Sequence, residues 1–293
     1  MRLKNKILST FRHQTLQVHP GIFRPSSKPY ITGDTFRKNA DHIFDETQTL
    51  DIRKIKNGDI VFLKTDFLEM FFGYYHPKII NRYILITHNS DLEIGESEKK
   101  YYDDKLIHWF ASNLIVKSDK YLSPLPLGIE NRRYLSNGRL RNFNKISKNN
   151  KKKKDKVMCS FSKHTNPNIR IELLKNVEKL SYVDTLNSSS QFDYLTNLNS
   201  YKFNLCPEGN AVETHRFWES LSLNVVPICQ ENINNLNYFN IGVPMILVDN
   251  WNNIKNYDIE YFLNQYQNIQ FSDSQKFSNF QYWWDVINAK KNN

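Results

Sequence analysis

The segment YKFNLCPEGNAVETHRFWESLSLNVVPICQ, residues 201–230, decides how the rest of the chain is read. An apolar run from Tyr201 to Cys206 stops at Pro-Glu-Gly. A polar turn follows, then a charged stretch with apolar residues at helical spacing, and a second apolar run, Val225 to Cys229, closes it. Strand, turn, helix and strand in that order read as one α/β repeat. In such sheets the strands are parallel and buried on both faces, and ligands sit beyond their carboxyl ends.

The same alternation runs outward from this segment. In the second half, 156–162 reads as a strand, 168–180 as an amphipathic helix, 244–249 as a strand, and 259–268 and 275–291 as terminal helices. In the first half, 58–68 and 82–91 read as buried strands. A Tyr-rich helix is expected around 98–108, a short strand at 111–116, and the fragment LSPLPLGIENRR follows at 122–133. The run KISKNNKKKKDK, 145–156, separates the halves; like charges repel and nothing in it packs, so it reads as a solvated linker. The expected organisation is an N-terminal unit over 1–148, a lysine-rich linker over 149–156 and a C-terminal unit over 157–293.

Composition supports a globular protein of two units. The chain has 293 residues, 40% hydrophobic and 14% aromatic, with few Gly and Pro. Its formal net charge of +10 invites a nucleic-acid reading, but much of the excess lies in the lysine run, and no nucleic-acid partner is expected. No apolar run reaches the roughly 20 residues of a membrane span, and the start lacks the apolar core of a secretory signal, so the expectation is a cytoplasmic protein. Cys159, Cys206 and Cys229 lie far apart in apolar runs and read as buried thiols. The abundance of Asn, Lys, Ile and Tyr resembles products of AT-rich genomes, including those of large DNA viruses.

The central loop has specific chemistry. Asn210 fits an N-cap and Glu213 the third helical position, so the helix is expected to start just after Gly209. Gly209 lets the backbone approach a ligand, and helix-start N–H groups favour an anion such as a diphosphate. Arg216 and Glu219, three apart, share a face, with Phe217, Trp218 and Leu221 on the packing side. Two readings fit this spacing. Arg216 holds phosphate while Glu219 accepts hydrogen bonds from ribose hydroxyls, or the two form an ordinary surface pair.

FNLCPEGNAVETHRFWESLSLNVVPI resembles the donor-binding segment of exostosin-like GT-B glycosyltransferases, with Phe203, Leu205, Pro207, Gly209, Arg216, Phe217, Glu219, Leu221, Val226, Pro227 and Ile228 matching its pattern. The chain departs from it at Glu208, where these enzymes often carry a basic residue, at Ser220 for Ala, and at Asn224 for Gly. The resemblance implies an α/β GT-B fold, two Rossmann-like domains facing a cleft, with a nucleotide sugar on the C-terminal domain and a glycan or glycoconjugate acceptor on the other. It implies no bound metal or cofactor, the nucleotide sugar being a co-substrate, and a last helix that crosses back to the first domain. Enzymes of this kind are commonly inverting and often use UDP-sugars; exostosins themselves are anchored in the Golgi.

On that basis the donor contacts are Gly209, Asn210, Glu213, Thr214, His215, Arg216 and Glu219. Lys163 and Arg170 join them from the loop SFSKHTNPNIR, whose Asn166 or Asn168 equally reads as a helix cap. Transfer by inversion needs a group to take the acceptor hydroxyl's proton. Asp91, His88 and Asp34 are the candidates, from the polar clusters THNSD and ITGDTFRKNAD at strand ends or turns, with Asp91 first. Asp91 also fits a turn cap and His88 a structural histidine. Arg37 and Asn89 fall on the acceptor side. Gly128 and Glu130 belong at the interdomain cleft without assigned chemistry.

Overall fold

The computed structural model describes residues 24–134, 137–149 and 152–292. The first 23 residues of the N-terminal unit, and Asn150 and Lys151 of the expected linker, lie outside the described residues. Two five-stranded sheets form, with every strand pairing parallel. The first contains β1 (His42–Phe44), β2 (Asp59–Lys64), β3 (Tyr83–His88), β4 (Leu106–Ala111) and β5 (Leu122–Pro124), side by side in chain order. The second contains β6 (Lys154–Cys159), β7 (Val183–Thr185), β8 (Tyr201–Leu205), β9 (Val226–Gln230) and β10 (Ile246–Val248), in the order β10-β9-β8-β6-β7. The fold is therefore α/β, two Rossmann-like units, as the resemblance implies.

The strand orders differ in a way that matters for binding. Counted from β6, the second sheet runs 2-1-3-4-5, so the direction of progress reverses between β6 and β8. A crevice opens beyond the strand ends at such a reversal, because successive crossovers leave toward opposite faces. The first sheet keeps chain order throughout its described strands and offers no equivalent crevice.

Helices of seven residues or more are α1 (Gly33–Asn39), α2 (Leu140–Ile146), α3 (Pro167–Val177), α4 (Gln191–Leu198), α5 (His215–Ser222), α6 (Ile233–Asn240), α7 (Ile259–Gln267), α8 (Phe271–Phe277) and α9 (Phe280–Ala289). Successive strand residues face opposite sides. On β2 and β3, Ile60, Phe62, Ile84 and Ile86 pack in one cluster with Phe36 of α1 and Phe280, Trp283 and Ile287 of α9. Val61, Leu63 and Leu85 pack in another with Leu68, Phe71 and Phe72. Both faces are filled, which explains why β3 is buried at every position.

Helix α9 ties the units together. Its Phe280 N–H donates to Pro29 O at 2.8 Å and its ring lies 5.2 Å from that of Phe36, in the first unit. Trp283 meets Trp218 of α5 and Tyr238 of α6 edge-on, at 6.3 and 6.2 Å, in the second.

Several expectations are corrected. Residues 98–108 are not a helix: one turn, Glu96–Lys99, is helical, and β4 takes residues 106–111. LIHWFA is apolar on both faces of a central strand, in register with β3 at Leu85 and Trp109, and the neighbouring Tyr and Lys residues hide that pattern. The strand expected at 111–116 is instead a bend at Ser112–Asn113, where Asn113 takes φ +52°, followed by an isolated bridge from Leu114 to Ile94. ITGDTFRKNAD contains helix α1, started by Thr32, whose side chain accepts from Thr35 N. The helix expected over 275–291 breaks at Ser278–Asn279, where Asn279 caps α9 by accepting from Gln281 N. The lysine run is not wholly solvated linker. Lys154–Lys156 belong to β6, and Lys153 Nζ donates to Asn199 O and Leu223 O, each at 3.0 Å, at the carboxyl ends of α4 and α5. Burial lowers the pKa of Lys153 to about 8.

Replacing Phe280 by Ala removes a buried ring shared by both α9 and the first sheet. Urea denaturation is expected to show a loss of about 3–5 kcal/mol with an unchanged m-value; a loss under about 1 kcal/mol would contradict the packing described.

Candidate functional site

The loops that leave β6 and β8 flank the reversal point, and a cavity of about 730 Å³ lies between them and the first unit. Its floor is the loop Cys206–Thr214, and the local sequence explains its shape. Pro207 ends the ladder, and Gly209 N bonds Ala211 O at 3.0 Å in a tight turn. Arg170, buried on α3, fixes the loop from beneath: Nε donates to Glu208 O (2.8 Å), Nη2 to Pro207 O (3.4 Å) and Nη1 to Ser162 O (2.8 Å). One guanidinium thereby joins the loops after both strands. A Cβ on Gly209 would lie 3.2 Å from Arg170 Nη2, a tight approach that would press on the guanidinium. Burial, then the neighbouring Arg216 charge, lowers the Arg170 pKa to about 10. Its fork is spent on the protein's own carbonyls, although the side chain lines the cavity.

Helix α5 begins later than expected. Its N-cap is Thr214 and its first residue His215, so Asn210 is not the cap and Glu213 is not at the third helical position. Asn210 is exposed at the cavity and donates from Nδ2 to Asp91 Oδ2 at 3.2 Å. Glu213 is buried and reaches the first unit instead. Its Oε1 accepts from Leu127 N (2.7 Å) and Trp218 Nε1 (2.5 Å), its Oε2 from Asn113 N (3.5 Å), and the Tyr238 hydroxyl donates to both oxygens. Glu213 N donates in turn to Asn113 Oδ1. These bonds replace the capping box with a cross-unit clasp. Burial raises the Glu213 pKa to about 7 despite these donors.

Arg216 and Glu219 share the cavity face of α5, and Phe217, Trp218 and Leu221 are buried behind it. Arg216 Nε donates to Ser160 O at 2.9 Å, and the guanidinium lies 5.7 Å from the Phe161 ring. Its two Nη nitrogens have no hydrogen-bond partner among the described residues. Burial raises the Glu219 pKa against the pull of His215 and Arg216. His215 joins the units as well: Nδ1 contacts Gly128 O at 2.7 Å and Nε2 lies 3.6 Å from Glu130 Oε2. Burial disfavours its charge, but Glu130, the Gly128 carbonyl, Glu219 and Glu213 together raise its pKa. Gly128 takes φ +73°, and a Cβ there would collide with Ile31 O at 2.2 Å.

The remaining candidates separate into two groups. Asp91 is exposed at the cavity edge on the first unit. Asp34, His88, Asn89 and Arg37 lie outside the cavity lining. His88 is buried with Nε2 3.0 Å from Pro126 O and Nδ1 accepting from Asn89 N at 2.7 Å; burial first, opposed by these bonds, lowers its pKa to about 4, leaving it neutral. Asp34 is fully buried, accepting from Arg24 Nη1 (3.2 Å) and Asn89 Nδ2 (3.1 Å), with Arg133 Nε 3.7 Å away. Arg37 pairs with Asp45 at 2.5 Å in the same network. These residues hold the loops at 88–91 and 128–133 in place, Asn131 bridging Asp34 N and Asn89 Oδ1. Lys163 is exposed and outside the lining, and Asn166, not Asn168, caps α3. Glu208 turns away from the cavity, its oxygens accepting from Asn232 Nδ2 (3.1 Å) and Trp251 Nε1 (3.2 Å). Sequence reading left Glu130 without chemistry and passed over the lining run Ser188–Gln191. The spacing Ser190-x-x-Asp193 is a cap signature that marks the start of α4, where Ser190 Oγ accepts from Asp193 N.

No protein-family model matches this chain, and no curated protein does. Among solved structures it is similar to the apo structure of OtsA, at 8% identity over 82% of this chain and 71% of that one, with a TM-score of 0.41. It is similar also to a GtfA/B complex (11% identity, 82% and 59% covered, TM-score 0.41). A third is the pneumococcal O-GlcNAc transferase GtfA in complex with UDP and GlcNAc (11% identity, 82% and 58% covered, TM-score 0.38). The chain thus spans under two thirds of the length of the latter two. Among the described residues no helix is long and apolar enough to cross a membrane.

The clasp makes a pH prediction. The folded pKa of Glu213 lies above that of the unfolded chain, so folding takes up a proton between roughly pH 4.5 and 7 and stability falls as pH rises through that window. Glu213→Gln keeps an acceptor for Leu127 and Trp218 but cannot ionise. Unfolding free energies from urea titrations at pH 4.5 and pH 7.5 are expected to differ less in the variant than in the parent, by on the order of 2–3 kcal/mol; equal differences would contradict the assignment.

Proposed function

We propose that the protein is a glycosyltransferase that moves a sugar from a nucleotide-sugar donor to a hydroxyl of a glycan or glycoconjugate acceptor. The observation that carries this reading is the placement of Arg216 and Glu219 on one face of α5, in a crevice at the strand-order reversal of the second sheet. The crevice fits a nucleoside diphosphate. Arg216 offers two Nη donors to a diphosphate in a planar fork, and the amides that open α5 add partial positive charge. Glu219, a buried acceptor three residues on, suits a pair of ribose hydroxyls. The motif resemblance described above points the same way.

The proposed chemistry is inverting and metal-independent, with a UDP-sugar as donor. Asp91, on the opposite wall, takes the acceptor hydroxyl's proton as its oxygen bonds to the anomeric carbon. The bond from that carbon to the diphosphate breaks, and the charge released falls on Arg216 and the α5 amides. His215 and Glu130 stand at the junction of the two walls.

A thermal-shift series with UDP, GDP, ADP and CMP tests the donor half. A nucleotide at about a hundred times its dissociation constant is expected to add about 2.7 kcal/mol of stability to the parent. Arg216→Ala and Glu219→Ala are expected to lose most of that gain. Stabilisation by no nucleotide, or an undiminished gain in both variants, would sink the reading. Given a working donor, Asp91→Asn is expected to lower kcat about 10²-fold or more while leaving nucleotide affinity within about twofold.

A further inference from the structure

A second cavity, of about 710 Å³, adjoins the first and shares Asn137, Ser189, Ser190 and Gln191 with it. It lies between α2 and the start of α4. Arg139, Arg141 and Lys145 line one side, and among the described residues no Asp or Glu lines it. The nearest acid along the chain, Asp193, is engaged by Ser189 N (2.9 Å) and Ser189 Oγ (3.3 Å). The first two amides of α4, those of Gln191 and Phe192, have no intrahelical acceptor, which is the rule at a helix start.

An independent feature marks the same place. Gln191 is 8% exposed, and its side chain lines both cavities. Its Oε1 accepts from Asn142 Nδ2 at 2.9 Å, while its buried Nε2 has no hydrogen-bond partner among the described residues. An unpaired buried donor costs stability unless a ligand or water satisfies it. Phe192 adds a partly exposed aromatic face, with Lys145 Nζ 5.1 Å from the ring centre.

We propose that this shelf binds an anionic group of the acceptor sugar, a phosphate, sulfate or carboxylate. The inference rests on reading the larger cavity as the donor site, because a ligand occupying both would then be an acceptor next to a donor. The cations and helix-start amides favour negative charge. Serine hydroxyls and side-chain amides suit sugar hydroxyls, and the Phe192 face suits a pyranose C–H face. A nucleic acid would need stacking platforms along a groove, whereas the shelf presents one aromatic ring.

Isothermal titration at ~150 mM salt separates the outcomes. The probes are a sulfated tetrasaccharide, its desulfated counterpart, UDP and a single-stranded oligonucleotide. The parent is expected to prefer the sulfated sugar by about tenfold or more. In Arg141→Ala/Lys145→Ala that preference is expected to fall to within about twofold, with UDP affinity unchanged. Both side chains are exposed, so the core survives the change. Gln191→Leu, which removes the orphan donor, is expected to weaken the sulfated sugar. A preference that persists in the double variant overturns the proposal. So does an oligonucleotide that binds as tightly as the sulfated sugar and loses affinity in parallel. Should UDP fail to bind the parent while the sulfate preference still maps to Arg141 and Lys145, the donor reading fails and the anion shelf stands.

Discussion

A single buried carboxylate sets the geometry of the cleft. Glu213 sits where the loop after β8 becomes helix α5, yet its oxygens are filled by the first unit's Leu127 and Asn113 amides and by Trp218 and Tyr238 behind it. A charged group without partners there would be expensive to bury. The donors from both units therefore fix the distance and angle at which the walls meet. His215, the next residue but one, repeats the connection through Gly128 O.

Around that fixed point the two units divide the work by their strand order. The second sheet reverses direction between β6 and β8 and opens a crevice, which Arg170 braces by holding the loops from both strands. The first sheet keeps chain order, and it contributes loops to the opposite wall. Those loops are themselves held by a buried set of ions, Asp34, Arg37 and Asp45 among them, that never reaches the cavity. Polar clusters at strand ends thus serve two ends: Asp91 faces the cavity, and His88, three residues before it, is part of the packing.

The periodicity of residues 201–230 was enough to show the α/β repeat, the packing side of α5 and the shared face of Arg216 and Glu219, because helical and strand spacing are local properties. Boundaries were less legible. The start of α5 depends on Glu213 finding donors on Asn113 and Leu127, 100 and 86 residues away, and capping rules that look only along the chain cannot see them. β4 was hidden for a related reason. LIHWFA is buried on both faces by neighbours from distant segments, so it shows no alternation of its own. Glu130 and the Ser188–Gln191 run reach the site through sheet topology, and the second sheet's order is not written in any one stretch of sequence.

Helix α9 has a consequence for how the molecule comes into being. The face of the first sheet carrying Ile60, Phe62, Ile84 and Ile86 is closed by Phe280, Trp283 and Ile287, almost two hundred residues downstream of β3. During synthesis the first unit leaves the ribosome with that face covered only by its own residues, Phe36 of α1 among them, and the area that α9 fills stays open until the second unit has been made. At about 5–20 residues per second, the interval is on the order of ten to forty seconds. The first unit is thus the earlier to be translated and the later to be finished: part of its core waits for the last long helix of the second.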